Sequence, residues 1–248
     1  DDISAVDAPG YGTTMTRTIF DGLGAYVTGN TLQVYVNHET TPASISRVDL
    51  DLANFQQSVT NTLAGSNPPF AGVVSQIGLA YDAIYDGTGS LVASGFAAVN
   101  TYGNNNFSRF CSGGVHLPAA FGSGEGFDDA LYITGEEVSG GKAYALDCAT
   151  SALWEISAFG SHPWENFAPI DTGNTTHTAM AIWSDSSGGD FMMIYVGEKN
   201  PSGDVLARNG LRGGTVYYFD PVAGSPNGDL PDGTEDFVLT TVTNDAET

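Results

Sequence analysis

Short runs of β-branched and aromatic residues, each closed by glycine, aspartate, asparagine, serine or proline, recur along this chain at a spacing of about ten residues. No window of about 11–18 residues keeps a clean helical period, so the pattern predicts a mainly β fold of short antiparallel strands. MTRTIF (15–20), LGAYVT (23–28) and LQVYVN (32–37), parted by Asp21-Gly22 and Gly29-Asn30, read as a β-meander. SISRVDLDL (44–52) alternates as a half-buried strand does, and VVSQIGLAYDAIYD (73–86) with SLVASGFAAV (90–99) reads as strand, turn, strand around Gly87-Thr88-Gly89. ALYIT (130–134), KAYALD (142–147), ALWEI (152–156), TAMAIW (178–183), FMMIYVG (191–197), GTVYYFD (214–220) and DFVLTTVT (236–243) continue the series. Residues 53–70 read as loop with one helical turn, and residues 1–14 as an extended N-terminal arm to a single β-rich domain over 15–248. Glycine-rich corners and an aromatic in most strands suit a sandwich or a β-propeller-like fold, with an incomplete propeller as the limiting case. At about 40–45 residues per blade, the length allows five or six blades at most.

The 248 residues carry 29 Asp and Glu against 7 Lys and Arg, a formal charge of −22. Such a chain repels nucleic acid and anionic membrane at long range and attracts cations, Ca²⁺ first among them. Charged residues are only 15% of the total and aromatics 11%, which separates it from a disordered acidic tail. The lysine-poor, Asp-, Asn-, Thr- and Gly-rich composition is that of an extracellular β protein, and the Asp1-Asp2 start reads as a processed terminus with no membrane span in the sequence. Cys111 and Cys148 either pair, adding about 3–4 kcal/mol by loop closure, or are two buried free thiols.

The residues able to do chemistry concentrate in Phe107 to Val138 and in later segments that answer to it. Acidic positions fall at or after strand ends: Glu39 in Asn37-His38-Glu39, the Glu136-Glu137 pair, Glu165 after His162-Pro163-Trp164, Glu198, and Glu235-Asp236. Carboxylates converging from strand ends suit hard cations, which take many oxygen ligands. A lone strand-end carboxylate is more often a solvated turn residue, but Glu136, Glu137 and Glu165 have apolar neighbours, where an unpaired charge is costly. The Asp82–Asp86, Asp185–Asp190 and Asp229–Asp236 turns are weaker calcium candidates, since Asp-Gly turns need no ion. No nucleophile elbow is present, and the four histidines are scattered rather than set at zinc-ligand spacing. Asn106-Phe-Ser and Asn174-Thr-Thr are glycan-acceptor sequons.

Five motifs occur in one order: Val36-Asn37-His38-Glu39; Arg109-Phe110-Cys111-Ser112-Gly113-Gly114; Leu131-Tyr132-Ile133-Thr134-Gly135-Glu136-Glu137; His162-Pro163-Trp164-Glu165 on to Asp171; and Ile194-Tyr195-Val196-Gly197-Glu198. In this order they resemble the PhoX-like family of secreted β-propeller alkaline phosphatases and their relatives, over about residues 20–220. The resemblance implies a site for Ca²⁺ and iron, with Cys111 as an iron-binding thiolate and Glu137, Glu165 and Glu198 as carboxylate ligands, joined by Glu39 and Glu136. Arg109 and Cys111 would then be the catalytic pair. The family's cysteine before the glutamate pair is Gly135 here, its Trp-Gly-Thr-Trp stretch is absent, and cationic phosphate clamps are reduced to Arg109 and Arg212.

Two functions are carried forward. One is a non-catalytic, self-assembling extracellular subunit of filament or surface-layer type, stiffened by Ca²⁺ and joined through the 1–14 arm and the 236–243 strand. The other is a metal-dependent phosphoesterase acting through Cys111 and the glutamates.

Overall fold

In the computed structural model, which describes residues 19–66, 72–185, 191–221 and 237–241, strands dominate and fall into three antiparallel sheets with one parallel contact. Phe20–Thr28 (β1), Thr31–His38 (β2), Ser44–Asp51 (β3) and Val74–Leu79 (β4) make the first sheet, in chain order. Asp21-Gly22, expected as a turn, is instead an irregularity inside β1, where the register slips between Phe20 and Leu23. The glycine is required there, because a Cβ on Gly22 would lie 2.0 Å from the backbone nitrogen of Gly113. The stretch expected as loop after β3 is a helix, Leu52–Leu63 (α1), capped by Asp51, whose carboxylate accepts from the Asn54 N–H at 2.8 Å. Leu52, Phe55, Val59 and Leu63 do recur at helical steps, but the Gln, Asn and Thr between them have weak helix propensity and hide the period.

The middle sheet holds Ala83–Tyr85 (β5), Leu91–Ser94 (β6), Phe110–His116 (β7), Leu131–Glu136 (β8), Ala143–Asp147 (β9) and Ala152–Glu155 (β10), in the order β6-β5-β10-β9-β8-β7. β5 runs parallel to β10. The 73–86 run, expected as one strand, therefore breaks at Ala80–Asp82 and serves two sheets. The predicted 90–99 strand stops at Ser94: Gly95 has φ +78°, and Phe96–Asn106 is a helix (α2) that buries Val99.

Trp164–Ile170 (β11), His177–Ser184 (β12), Phe191–Glu198 (β13), Thr215–Pro221 (β14) and Phe237–Thr241 (β15) form the third sheet as a simple meander. Val205–Arg208 (α3), capped by Asp204, lies between β13 and β14. The 236–243 segment, expected to reach a neighbouring subunit, pairs instead with β14 of its own chain through Phe237–Thr241. The 1–14 arm lies outside the described residues.

The sheets stack with the middle one buried on both faces; every residue of β8 and β9 is buried. Alternation explains this. Tyr132, Tyr144 and Leu146 pack with Tyr35 and Ile45 of the first sheet, while Leu131, Ile133 and Ala145 pack with Phe167, Met180, Ile182 and Tyr195 of the third. Each large apolar side chain so buried contributes about 1.5–3 kcal/mol. One edge strand of each sheet meets its neighbour, β1 against β7 and β7 against β11. Among the described residues no helix is long and apolar enough to cross a membrane.

Candidate metal centre

Where β1, β7 and β11 meet, each departs from regular pairing. β1 slips between Phe20 and Leu23, β7 between Phe110 and Gly113, and β11 between Trp164 and Asn166. The residues carried in these irregularities are Asp21, Cys111 and Glu165. A bulge bends its strand and re-aims the extra side chain, and three of them bring the three residues toward one point. Hydrogen bonds hold the distorted backbone. Asn37 of β2, fully buried, donates to the carbonyl oxygens of Cys111 (2.6 Å) and Ser112 (3.1 Å), and the Tyr132 hydroxyl donates to the Gly22 carbonyl (2.9 Å).

Glu137 enters from the end of β8. Its N–H donates to the Arg109 carbonyl at 2.9 Å, and its carboxylate accepts from the Arg109 guanidinium at 2.8 Å. Cys111 Sγ lies 3.5 Å from Glu165 Oε2, and ligand atoms of Cys111, Glu137 and Glu165 all fall within 4.8 Å of one another. Arg109 also reaches Glu39, with Nε at 3.1 Å and Nη2 at 2.5 Å from the same oxygen. It does so from a left-handed backbone, φ 48°, which a side chain adopts at a cost of about 1–3 kcal/mol.

The electrostatics are lopsided. Burial first, then the charges of Glu165, Asp21 and Glu137, push the Cys111 thiol well above its ordinary range. Glu137 is also raised, mainly by desolvation, although Arg109 pulls the other way, and Asp185 adds a like charge beside it. Arg109 is held more firmly charged, chiefly through its bond to Glu39. A thiol in this setting stays protonated and is a poor nucleophile. A cation placed among the same three groups inverts that logic, because metal coordination deprotonates a thiol outright.

The structure thus brings together Cys111, Glu137 and Glu165, with Arg109 and Glu39 beside them. It does not bring in Glu136 or Glu198. Glu136 is buried behind the strand, where its carboxylate accepts from the backbone N–H groups of Ser108 (2.8 Å) and Lys142 (3.1 Å). Glu198 pairs with His177 at the far end of the third sheet, whereas the centre lies at the Trp164–Ser184 end. Seven strand steps put it about 23 Å away. Cys148 takes no part: both cysteines are free, and its thiol faces the Leu146 carbonyl in the first core. The Asp86 turn needs no ion, since that carboxylate already accepts from Thr88 and Ser90. Asp190 and the Asp229–Asp236 turn lie outside the described residues.

Asp21 went unremarked as a site residue in the sequence, and Asp185 was read only as part of a weaker calcium-binding turn, not as a neighbour of Glu137. Asp21 sits in an Asp-Gly pair that imitates a hairpin turn, and Asp185 in a Ser- and Gly-rich loop. Gly135 also finds its reason: a Cβ there would lie 2.4 Å from Trp164 Cβ, so no cysteine fits before the glutamate pair. A groove of about 350 Å³ opens beside Glu165, between β11 and β12, with Asn166, Ala168 and Trp183 among its walls. Comparison of the chain with protein-family models, curated proteins and solved structures returns no match.

Proposed function

We propose that this chain is a metal-binding β protein in which Cys111, Glu137 and Glu165 hold one transition-metal ion that ties the middle sheet to the third where β7 meets β11. The observation that carries this reading is the gathering of a thiol and two carboxylates within 4.8 Å, in a setting that leaves the thiol protonated without a cation. One thiolate with two carboxylates suits a borderline ion, iron before calcium, because calcium takes oxygen ligands only. The ordered resemblance to PhoX-like proteins supports the same metal. Calcium is left to the outlying carboxylates, Asp21 and Asp185.

The role we assign is structural and non-catalytic. Arg109, the cation nearest the thiol, is already engaged by Glu39 and Glu137 and so is not free to clamp a phosphate. Three stacked sheets with adjoining edge strands support the reading of a propeller-like arc, and the acidic, lysine-poor composition supports an extracellular setting. A second reading, phosphate-ester hydrolysis, is favoured by the groove that opens directly beside Glu165. A bound ion supplies Lewis acidity there, polarising a phosphoryl oxygen.

Metal content by mass spectrometry on protein purified without chelator, with phosphate-ester hydrolysis assayed on the same sample, tests both. The structural reading expects about one equivalent of iron, lost in Cys111→Ser, with a lower melting temperature and no turnover. Chelator-sensitive turnover selects the second reading, and protein that neither carries nor takes up a transition metal overturns both.

A further inference from the structure

Stacking three sheets buries both faces of the middle one, and among the described residues part of the outer face of each outer sheet is exposed. On the first sheet, Gly22, Gly24 and Tyr26 turn toward β7, so Leu23, Ala25 and Val27 turn outward; Leu23 is 62% and Val27 50% exposed. Opposite them in register stand Val36, Val34 and Leu32 of β2. On the third sheet, Met180, Ile182, Met193 and Tyr195 turn inward. Outward lie Ala168, Ala181 and Ile194 in one row and Trp183 opposite Met192 in the next, the last two each 39% exposed. No charged residue stands at any of these positions, in a chain with 36 charged residues (7 + 29). Uncharged strips this broad are what two copies of so acidic a molecule need if they are to touch.

The internal junctions say what kind of surface fits. Each sets one sheet face on the next with edge strands side by side, β1 by β7 and β7 by β11. The outer face of the third sheet has β11 at its rim, and the outer face of the first sheet has β1 at its rim. They are the two halves of one more junction of that type. We propose that the first sheet of a second copy docks on the third sheet of this one, Leu23 and Val27 packing against Trp183 and Met192. The contact joins unlike surfaces, so its repetition closes a ring or runs on as a filament. It also covers the groove beside Glu165, which places the interface next to the candidate metal centre. The strand addition expected from the terminal strand is a different contact, made edge to edge.

The full chain is examined by light scattering and sedimentation in high salt, which screens the net charge, alongside Leu23→Asp and Trp183→Asp. Wild type is expected to self-associate and each variant to be weakened by about 30-fold or more. Mixed in equal amounts, the two variants are expected to form a mixed dimer that grows no further, because only one intact junction remains between them. Far-UV circular dichroism establishes that the variants are folded, and Val27→Ser with Met192→Ser replaces them if they are not. A monomeric wild type at tens of micromolar overturns the proposal. So does a single variant that self-associates as tightly as wild type, since the contact then does not use the altered face.

Discussion

Cys111 lies in β7 and Cys148 directly follows β9 of the same sheet; both are buried and free, yet their neighbours differ in kind. Cys148 packs among Tyr35, Tyr132 and Leu146, and burial pushes its thiol up to about 12. Cys111 is raised too, but three carboxylates contribute after burial. The first environment suits a neutral thiol and nothing else. The second also holds the charges of Glu165 and Asp21, while the Arg109 guanidinium answers Glu39 and Glu137. The difference teaches that burial alone does not distinguish a structural thiol from a ligand; the sign of the surrounding charge does.

Replacing each cysteine by serine breaks this comparison most directly. Cys111→Ser is expected to lower transition-metal affinity more than about 100-fold, beyond what loss of a supporting contact does. Cys148→Ser should leave the metal and cost about 1–3 kcal/mol of stability, a hydroxyl having replaced a thiol in an apolar core. Metal titration and chemical denaturation measure the two losses. Gly22→Ala comes next. Its Cβ has no room against Gly113, so β1 must move and carry Asp21 away from Cys111, at about 2–3 kcal/mol by denaturation, with the Cys148 environment unchanged.

A pH series sharpens the contrast with a smaller effect. Unfolded thiols ionise near about pH 8.5, whereas both folded thiols ionise higher. Above that pH the unfolded chain holds fewer protons, so the contribution to stability is fully present at neutral pH and falls as pH rises toward about 12. Added metal should remove the Cys111 share of this fall and release one proton on binding, with Cys148 unaffected; potentiometric titration reads the proton. The smallest effect expected is for Arg109→Ala. It removes two ion pairs of a half-exposed guanidinium and leaves the left-handed backbone as it is, so stability should change by less than about 1 kcal/mol. Glu137, freed of its guanidinium, should then bind the metal more tightly in the same titration.

Strand runs were legible because period-two alternation and turn residues are local properties. Cys111, Glu137 and Glu165 were legible only as motifs in order, since their meeting depends on bulges in β7 and β11 that leave no mark in composition. Glu198 misled for the opposite reason: it ends a strand in a fitting motif, but β13 runs away from the site. The helix at 52–63 was hidden by its polar residues, and the one at 96–106 by the apolar Phe96-Ala97-Ala98-Val99, which reads equally well as strand.

The parallel contact between β5 and β10 has a consequence for how the molecule is made. Ala83 pairs with Ala152, about 70 residues further along, and among the described residues no nearer strand pairs with that edge of β5. On a ribosome, the first sheet can assemble as soon as β4 emerges, each strand finding its neighbour close by. The hairpin of β5 and β6 must wait, and a lone two-stranded hairpin is marginal in water. It acquires a lasting neighbour only after β7, β8 and β9 have been synthesised and β10 follows. The middle sheet is therefore a clasp closed late, and arrest of synthesis before Glu155 should leave residues 83–94 open to protease while the first sheet is already protected.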